Sequence, residues 1–216
     1  MPGFRQLPTS FPLLVIDAAS ALVQVGYLNS DGTGTWATDT AESGVAIFRG
    51  LERLGVDPLA VSAFAFCDGP GSVLGIRTAA MALRTWQVLR PRPVYAYSSL
   101  AVVAHALGRP EVGVIADARR DTWHHYQIGR GLRRIPTGEL AGELVQPEHF
   151  RHWSALPAGL PVPAVSYDLA TLLPKVWDAD LLRPSPAPDA FLHEEPQYVK
   201  WSPQVHQSPA AGATGG

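Results

Sequence analysis

Two aspartates and one glycine-rich turn are the residues of this 216-residue chain whose types and spacing could do chemistry. Asp17 closes the apolar run Leu13-Leu14-Val15-Ile16, and Asp117 closes a second such run, Val112 to Ala116. A carboxylate at a strand end can help hold magnesium and phosphate where glycine follows it and lets the backbone approach the phosphates. Ala18 and Ala19 follow Asp17, and their Cβ atoms would crowd that approach. The competing reading is that Asp17 caps a tight hairpin.

Gly69 to Arg77 (GPGSVLGIR) is the glycine-rich turn. Such a turn before a helix offers N–H groups to an anion, so Gly69, Pro70, Gly71, Ser72, Gly75 and Arg77 form a candidate anion site. The segment lacks the lysine–hydroxyl pair of a Walker loop and the G-x-G-x-x-G spacing, and Pro70 removes one donor. It reads better as a strand-to-helix junction in which Gly75 admits another backbone. Elsewhere the signals are thin. His124-His125 would point to opposite faces of a strand, and His149-x-x-His152 lies among prolines, so no metal site is expected. There is no G-x-S-x-G, and nothing nominates a base for Ser72. Arg130, Arg133 and Arg134 read as a solvated turn with the capacity to touch phosphate.

Composition sets the bounds. With 46% hydrophobic and 17% charged residues the chain is expected to fold as an ordinary globular protein. A net charge of −2 argues against an unaided grip on nucleic acid, which favours a basic excess. Cys67 is the single cysteine, so no intrachain disulfide can form, as suits a reducing compartment. No apolar run approaches the ~18 residues of a membrane span, and a soluble, cytoplasmic protein is expected.

The elements that must position these residues follow from periodicity. Leu13–Ile16 and Ala21–Leu28 predict a hairpin, and Thr35–Thr38 a third strand after the turn Asn29–Gly34. Helices are predicted over Ala41–Leu54 and Val73–Leu89, strands over Ser62–Cys67 and Val94–Tyr97, and a helix capped by Ser98-Ser99 and running to Leu107. The order β-β-β-α-β-α-β-α is that of the ribonuclease-H-like, actin-like α/β arrangement, which hosts unrelated functions. Val112–Asp117 and Trp123–Ile128 repeat the first strand pair, so a degenerate second half is expected. The predicted division is 1–107, 108–200 and a flexible tail, 201–216. The Val73–Leu89 helix carries two apolar lines. Ile76, Ala80 and Leu83 form one; Met81, Thr85, Val88 and Leu89 form the other. One line would face a sheet and the other a second chain.

GPGSVLGIR resembles the G-P-G-S-F-T-G-V/I-R signature of the TsaB (YeaZ) proteins. Leu14–Ser20 is similar to their I-D-T-A/S start, Asp117-Ala118-Arg119 matches their D-A-R, and Pro196–Lys200 (PQYVK) resembles their P-x-Y-L/V-R. The resemblance implies a non-catalytic actin-like subunit. Such subunits activate a TsaD-like threonylcarbamoyltransferase and, with a TsaE-like ATPase, help make threonylcarbamoyladenosine beside the tRNA anticodon. It implies contact through the first two helices, with TsaD or with a second copy as a homodimer. Val45, Phe48, Val73, Ile76, Ala80 and Leu83 are then the candidate interface, and Leu83→Asp its test. Asp17, Asp117 and Arg119 remain candidate anion or interface residues. TsaD carries H-x-x-x-H after the fifth strand; motif alignment puts Ser99 and Val103 there. The resemblance further implies no tightly held cofactor, ATP or ADP at most at the partner interface, tRNA only through the complex, and no membrane. The chain departs from the pattern at Val73-Leu74 and at Thr122-Trp123-His124. Two rivals stay open: an independent actin-like phosphotransferase or ATPase using Asp17 and Asp117, and a glycoprotease-like hydrolase.

Overall fold

Strand β1 (Leu13–Asp17) is uninterrupted by polar residues until Asp17, and every residue of it is buried. The same holds for β4 (Ala63–Gly69). Such runs suit the covered centre of a sheet, where both faces are packed. The computed structural model describes residues 3–7 and 10–191 and places these two strands side by side in parallel. Strands β2 (Val23–Leu28) and β3 (Gly34–Asp39) add as an antiparallel meander, with β1 and β2 forming the expected hairpin. On the other side β5 (Val94–Ser98) pairs parallel with β4.

Three helices connect these strands. Helix α1 (Ser43–Leu54) stops at Gly55, whose φ of 63° is the left-handed geometry that ends many helices. Helix α2 (Val73–Leu89) matches its predicted span. Helices α1 and α2 pack together and against β1–β4. Helix α3 (Ser99–Leu107) lies between the two halves of the molecule, touching β4 and β5 on one side and β6 (Gly113–Asp117) and β7 (Thr122–Gln127) on the other. The expected hydroxyl cap of α3 does not form. Ser98 makes no capping bond, and the Ser99 hydroxyl instead donates to the Pro70 carbonyl at 2.6 Å.

The second half repeats the first sheet without its helices. Strands β6, β7 and β8 (Gly131–Pro136) form a meander, and β9 (Leu144–Pro147) and β10 (Ala164–Val165) add in parallel beside β6. The order β8-β7-β6-β9-β10 mirrors β3-β2-β1-β4-β5. Strand β8 contains two of the three arginines read as a solvated turn. After a short helix α4 (Leu169–Leu172), the chain returns to the first sheet, where β11 (Arg183–Pro184) pairs antiparallel with β5. One apolar core runs through both halves. A small separate cluster of Ile115, Trp123, Leu140 and Leu144 lies in the second. The Pro196–Lys200 motif and the tail from residue 201 lie outside the described residues.

Candidate functional site

The two turns that would flank a phosphate close on each other. Ser72 N–H donates to the Ala19 carbonyl at 2.7 Å, and the Ser72 hydroxyl accepts from Gly75 N–H at 3.2 Å. Two of the N–H groups that could meet an anion at the start of α2 are thus engaged within the protein. Both glycines are needed for this closure. A Cβ at Gly71 would lie 2.3 Å from the Ala19 carbonyl oxygen, and one at Gly75 would lie 2.1 Å from that of Ala18. Gly69 and Pro70 complete the junction, anchored by Ser99. Arg77 forms an ion pair with Asp189 at 3.5 Å. The expected role for Gly75, admission of another backbone, is what this geometry displays.

Asp17 is fully buried behind this junction. Its carboxylate accepts from Tyr167 OH at 2.7 Å, Tyr97 OH at 2.8 Å and Ala19 N–H at 3.0 Å. Burial pushes its pKa above the ordinary value, against the downward pull of Tyr167, Ala19 and Tyr97. Its oxygens face phenols rather than a cleft, so the arrangement staples the hairpin turn to the second half and does not present a ligand for magnesium.

The outer surface of α1 and α2 carries exposed apolar side chains. Ile76, Ala80 and Leu83 sit in the core, with Leu83 wholly inaccessible. Their assignment to a partner interface is therefore corrected: this line faces the sheet. The exposed line is the other one. Leu74 is 79% and Val88 84% exposed, with Met81 between them and Leu89 beside them. Val73 on α2 and Val45 and Phe48 on α1 are likewise exposed, as an interface requires. Phe48 meets Trp86 edge-on at 6.3 Å, which joins the two helices at this face. Leu74, Thr78, Met81, Thr85 and Val88 follow a 4-3-4-3 spacing, the seam that a packed helix pair uses. The two threonines fit it because their hydroxyls bond back to the Leu74 and Met81 carbonyls at 2.9 and 3.0 Å. That leaves no hydroxyl donor in need of solvent. Leu74 and Thr78 escaped the sequence reading, though the 4-3 spacing was the signal that would have found them.

At the end of β6, Asp117 organises a different arrangement. Its carboxylate accepts from Arg119 N–H at 2.6 Å, Trp153 N–H at 2.6 Å, Ser154 N–H at 2.5 Å and the Ser154 hydroxyl at 3.2 Å. Desolvation works to raise its pKa, but the bonds from Ser154, Trp153 and Arg119 outweigh it and hold the group below its ordinary value. One carboxylate thus ties the β6–β7 turn to the loop at 152–154. In that turn Arg119, Arg120 and Asp121 all have positive φ, at 63°, 52° and 56°. Each such residue costs about 1–2 kcal/mol. The Arg119 guanidinium lies over the Trp153 ring, 4.4 Å from its centroid. Trp153 was not foreseen; an isolated aromatic in a proline-rich loop gives no periodic signal. Nor do the basic residues of β8 act together. Arg134 reaches Thr122 Oγ1 at 2.8 Å and the Ala118 carbonyl at 3.2 Å, whereas Arg133 pairs across the ladder with His125.

Comparison with known proteins bears on this geometry. A crystal structure of an uncharacterized protein with similarity to peptidase YEAZ from Pseudomonas aeruginosa superposes with a TM-score of 0.53 at 25% identity, covering 76% of this chain and 88% of that one. YeaZ from Pseudomonas aeruginosa gives a TM-score of 0.53 at 23% identity, covering 76% and 89%, which speaks to the fold. The family model for TsaD, tRNA N6-adenosine threonylcarbamoyltransferase, matches residues 43–143. The chain is YeaZ-like. Its fold is the actin-like, ribonuclease-H-like one that the strand order implied. No protein of curated function matches it in sequence.

The TsaD match makes a metal site worth testing in this YeaZ-like chain. The two positions aligned with the TsaD histidines do not suit a metal. Val103 has no donor atom and is buried in the core, and the buried Ser99 hydroxyl is engaged by Pro70. Among the described residues no three His, Cys, Asp or Glu side chains come together in a cluster that could hold an ion. No helix among them is long and apolar enough to cross a membrane.

Proposed function

We propose that this YeaZ-like chain is a non-catalytic partner subunit in the formation of threonylcarbamoyladenosine on tRNA, docking a TsaD-like catalytic subunit through the outer face of α1 and α2. The observation that carries this reading is the seam Leu74–Thr78–Met81–Thr85–Val88 with Val45 and Phe48 beside it. Large apolar side chains line an ordered helix pair there, and among the described residues no element of the chain covers them. A patch of that kind on an otherwise well-packed domain marks an interaction surface. The closed phosphate turns and the unsuitable Ser99 and Val103 positions support a subunit that assists chemistry rather than performs it. The same face serves a second copy when the partner is absent, and a TsaE-like ATPase and tRNA join through the assembled complex. ATP or ADP belongs to the partner side of that assembly.

Gel filtration of the chain with the TsaD-like subunit of the same organism tests the reading. A stable complex is expected, and Met81→Asp abolishes it by placing a charge in an apolar contact. Failure of the unaltered chain to associate at micromolar concentration, with or without nucleotide, sinks the proposal. So does a complex that Met81→Asp leaves intact. Independent ATPase activity is tested by turnover of Mg-ATP on the isolated chain; none is expected.

A further inference from the structure

Trp153 is 54% exposed in a protein whose other described tryptophans are buried or half-buried. One face of its ring carries the Arg119 guanidinium, and both residues hang from the same buried carboxylate, Asp117. The platform is therefore fixed before any ligand arrives, which lowers the ordering cost of binding. The surrounding charge is unbalanced. Six other arginines, Arg5, Arg53, Arg77, Arg84, Arg109 and Arg183, each pair with a carboxylate, whereas Arg90 and Arg130, like those of the platform, have none among the described residues. Among the described residues none lies within ion-pair distance of Arg119, Arg120 or Arg151, and all three are exposed. His149 and His152, also exposed, flank Arg151 in the same loop. The strained left-handed run Arg119-Arg120-Asp121 holds Arg120 at the tip of the turn. Strain of this kind persists where surrounding bonds over-determine it, and it gathers at ligand clamps.

We infer that the Arg119–Trp153 platform binds single-stranded RNA, stacking one unpaired base on the indole–guanidinium pair while Arg120 and Arg151 meet the flanking phosphates. An aromatic face sandwiched with arginine takes any base by its π-surface, and arginines without carboxylate partners supply the counter-charge for phosphate. A chain with net charge −2 needs such a local concentration to hold RNA at all. This rests on the reading above only for the choice of RNA as the polymer, and it places an RNA contact on this chain itself rather than on the partner alone.

The test uses the full chain without partner and a fluorescent unpaired oligoribonucleotide of about eight nucleotides. Fluorescence anisotropy should show binding that is stronger than for the same sequence in a duplex and that weakens with salt. Trp153→Ala should weaken it about tenfold or more, Trp153→Phe much less, and Arg120→Ala or Arg151→Ala should each shallow the salt dependence. Trp153 is a surface residue, so thermal melting of Trp153→Ala should match the unaltered chain and confirm that the loss is local. No single-strand binding overturns the inference. So does equal affinity for the duplex, an unchanged affinity in Trp153→Ala, or displacement of the RNA by poly-glutamate at equal charge concentration, which would mark a surface for acidic protein. Partner docking is read separately, by Met81→Asp without RNA, so either reading can fall alone.

Discussion

Asp17 and Asp117 end equivalent strands, yet their surroundings work in opposite directions. Asp17 is held by two phenols and one amide in full burial, and its pKa lies above the ordinary value. The folded state therefore keeps its proton longer than the unfolded chain does. Its contribution to stability is present below the usual carboxylate pKa of about 4 and is lost as pH rises through the folded value. Asp117 lies below its ordinary value, so its contribution is present above about pH 4 and is lost as pH falls through the folded value. Urea denaturation from about pH 2 to about pH 7 should separate the two. Asp17→Asn should gain on the unaltered chain as pH rises. Asp117→Asn should lose about 2–3 kcal/mol at neutral pH, since an amide cannot accept all four bonds, and the loss should shrink on acidification. The same sign of pH dependence in both variants would refute this assignment. Gly75 makes a third point at this scale. Its missing Cβ would meet backbone at 2.1 Å, and Gly75→Ala should cost about 1–3 kcal/mol by denaturation although alanine favours helices. The sequence made the role of Gly75 readable but left the burial of Asp17 open, because burial depends on Tyr167, which lies 150 residues away.

Helix α2 shows what a sequence holds at the scale of an element and what it withholds. Its span and both of its apolar lines were legible from 3.6-residue periodicity. Which line faces the sheet was not, because each is apolar enough to be core. Packing decided it: Ile76, Ala79, Ala80, Leu83 and Trp86 lie against the sheet, and Leu74, Met81 and Val88 turn outward. Two charge substitutions on this one helix should therefore behave differently. Leu83→Asp buries an unpaired carboxylate and should cost more than about 4 kcal/mol, giving unfolded or insoluble protein. Met81→Asp should stay within about 0.5 kcal/mol of the unaltered chain in denaturation while abolishing partner docking. Equal destabilisation by the two would mean that the outer line is not solvent-facing. The arginines show the converse failure. Arg133 and Arg134 looked like one turn, and only the ladder with β7 separates their roles.

Across the whole molecule, the strand order of the first sheet was readable, and so was the start of a second copy at Val112. Beyond β7, read as Trp123–Ile128, the rest of that copy was not, because β9 and β10 are short and no helical pattern separates them. The two halves are bonded together. Gln24 of β2 donates to the Tyr167 carbonyl and accepts from Leu169 N–H, each at 2.8 Å, in full burial. Tyr167 OH reaches Asp17, Ala21 N–H reaches the His149 carbonyl at 2.8 Å, and Arg183 of β11 pairs with Asp68 of β4. With one core spanning both sheets, the two halves should unfold as a unit. Among the described residues, tryptophan fluorescence draws on Trp36 and Trp86 of the first half, Trp123 and Trp153 of the second, and Trp177, which stacks on Phe4. It should trace the same urea transition as far-UV circular dichroism. Gln24→Ala leaves a buried carbonyl and a buried N–H unpaired and should lower stability by about 2–4 kcal/mol while keeping a single transition. Two separate transitions in the unaltered chain would show that the halves are independent, and the view of this protein as one cooperative unit would then fail.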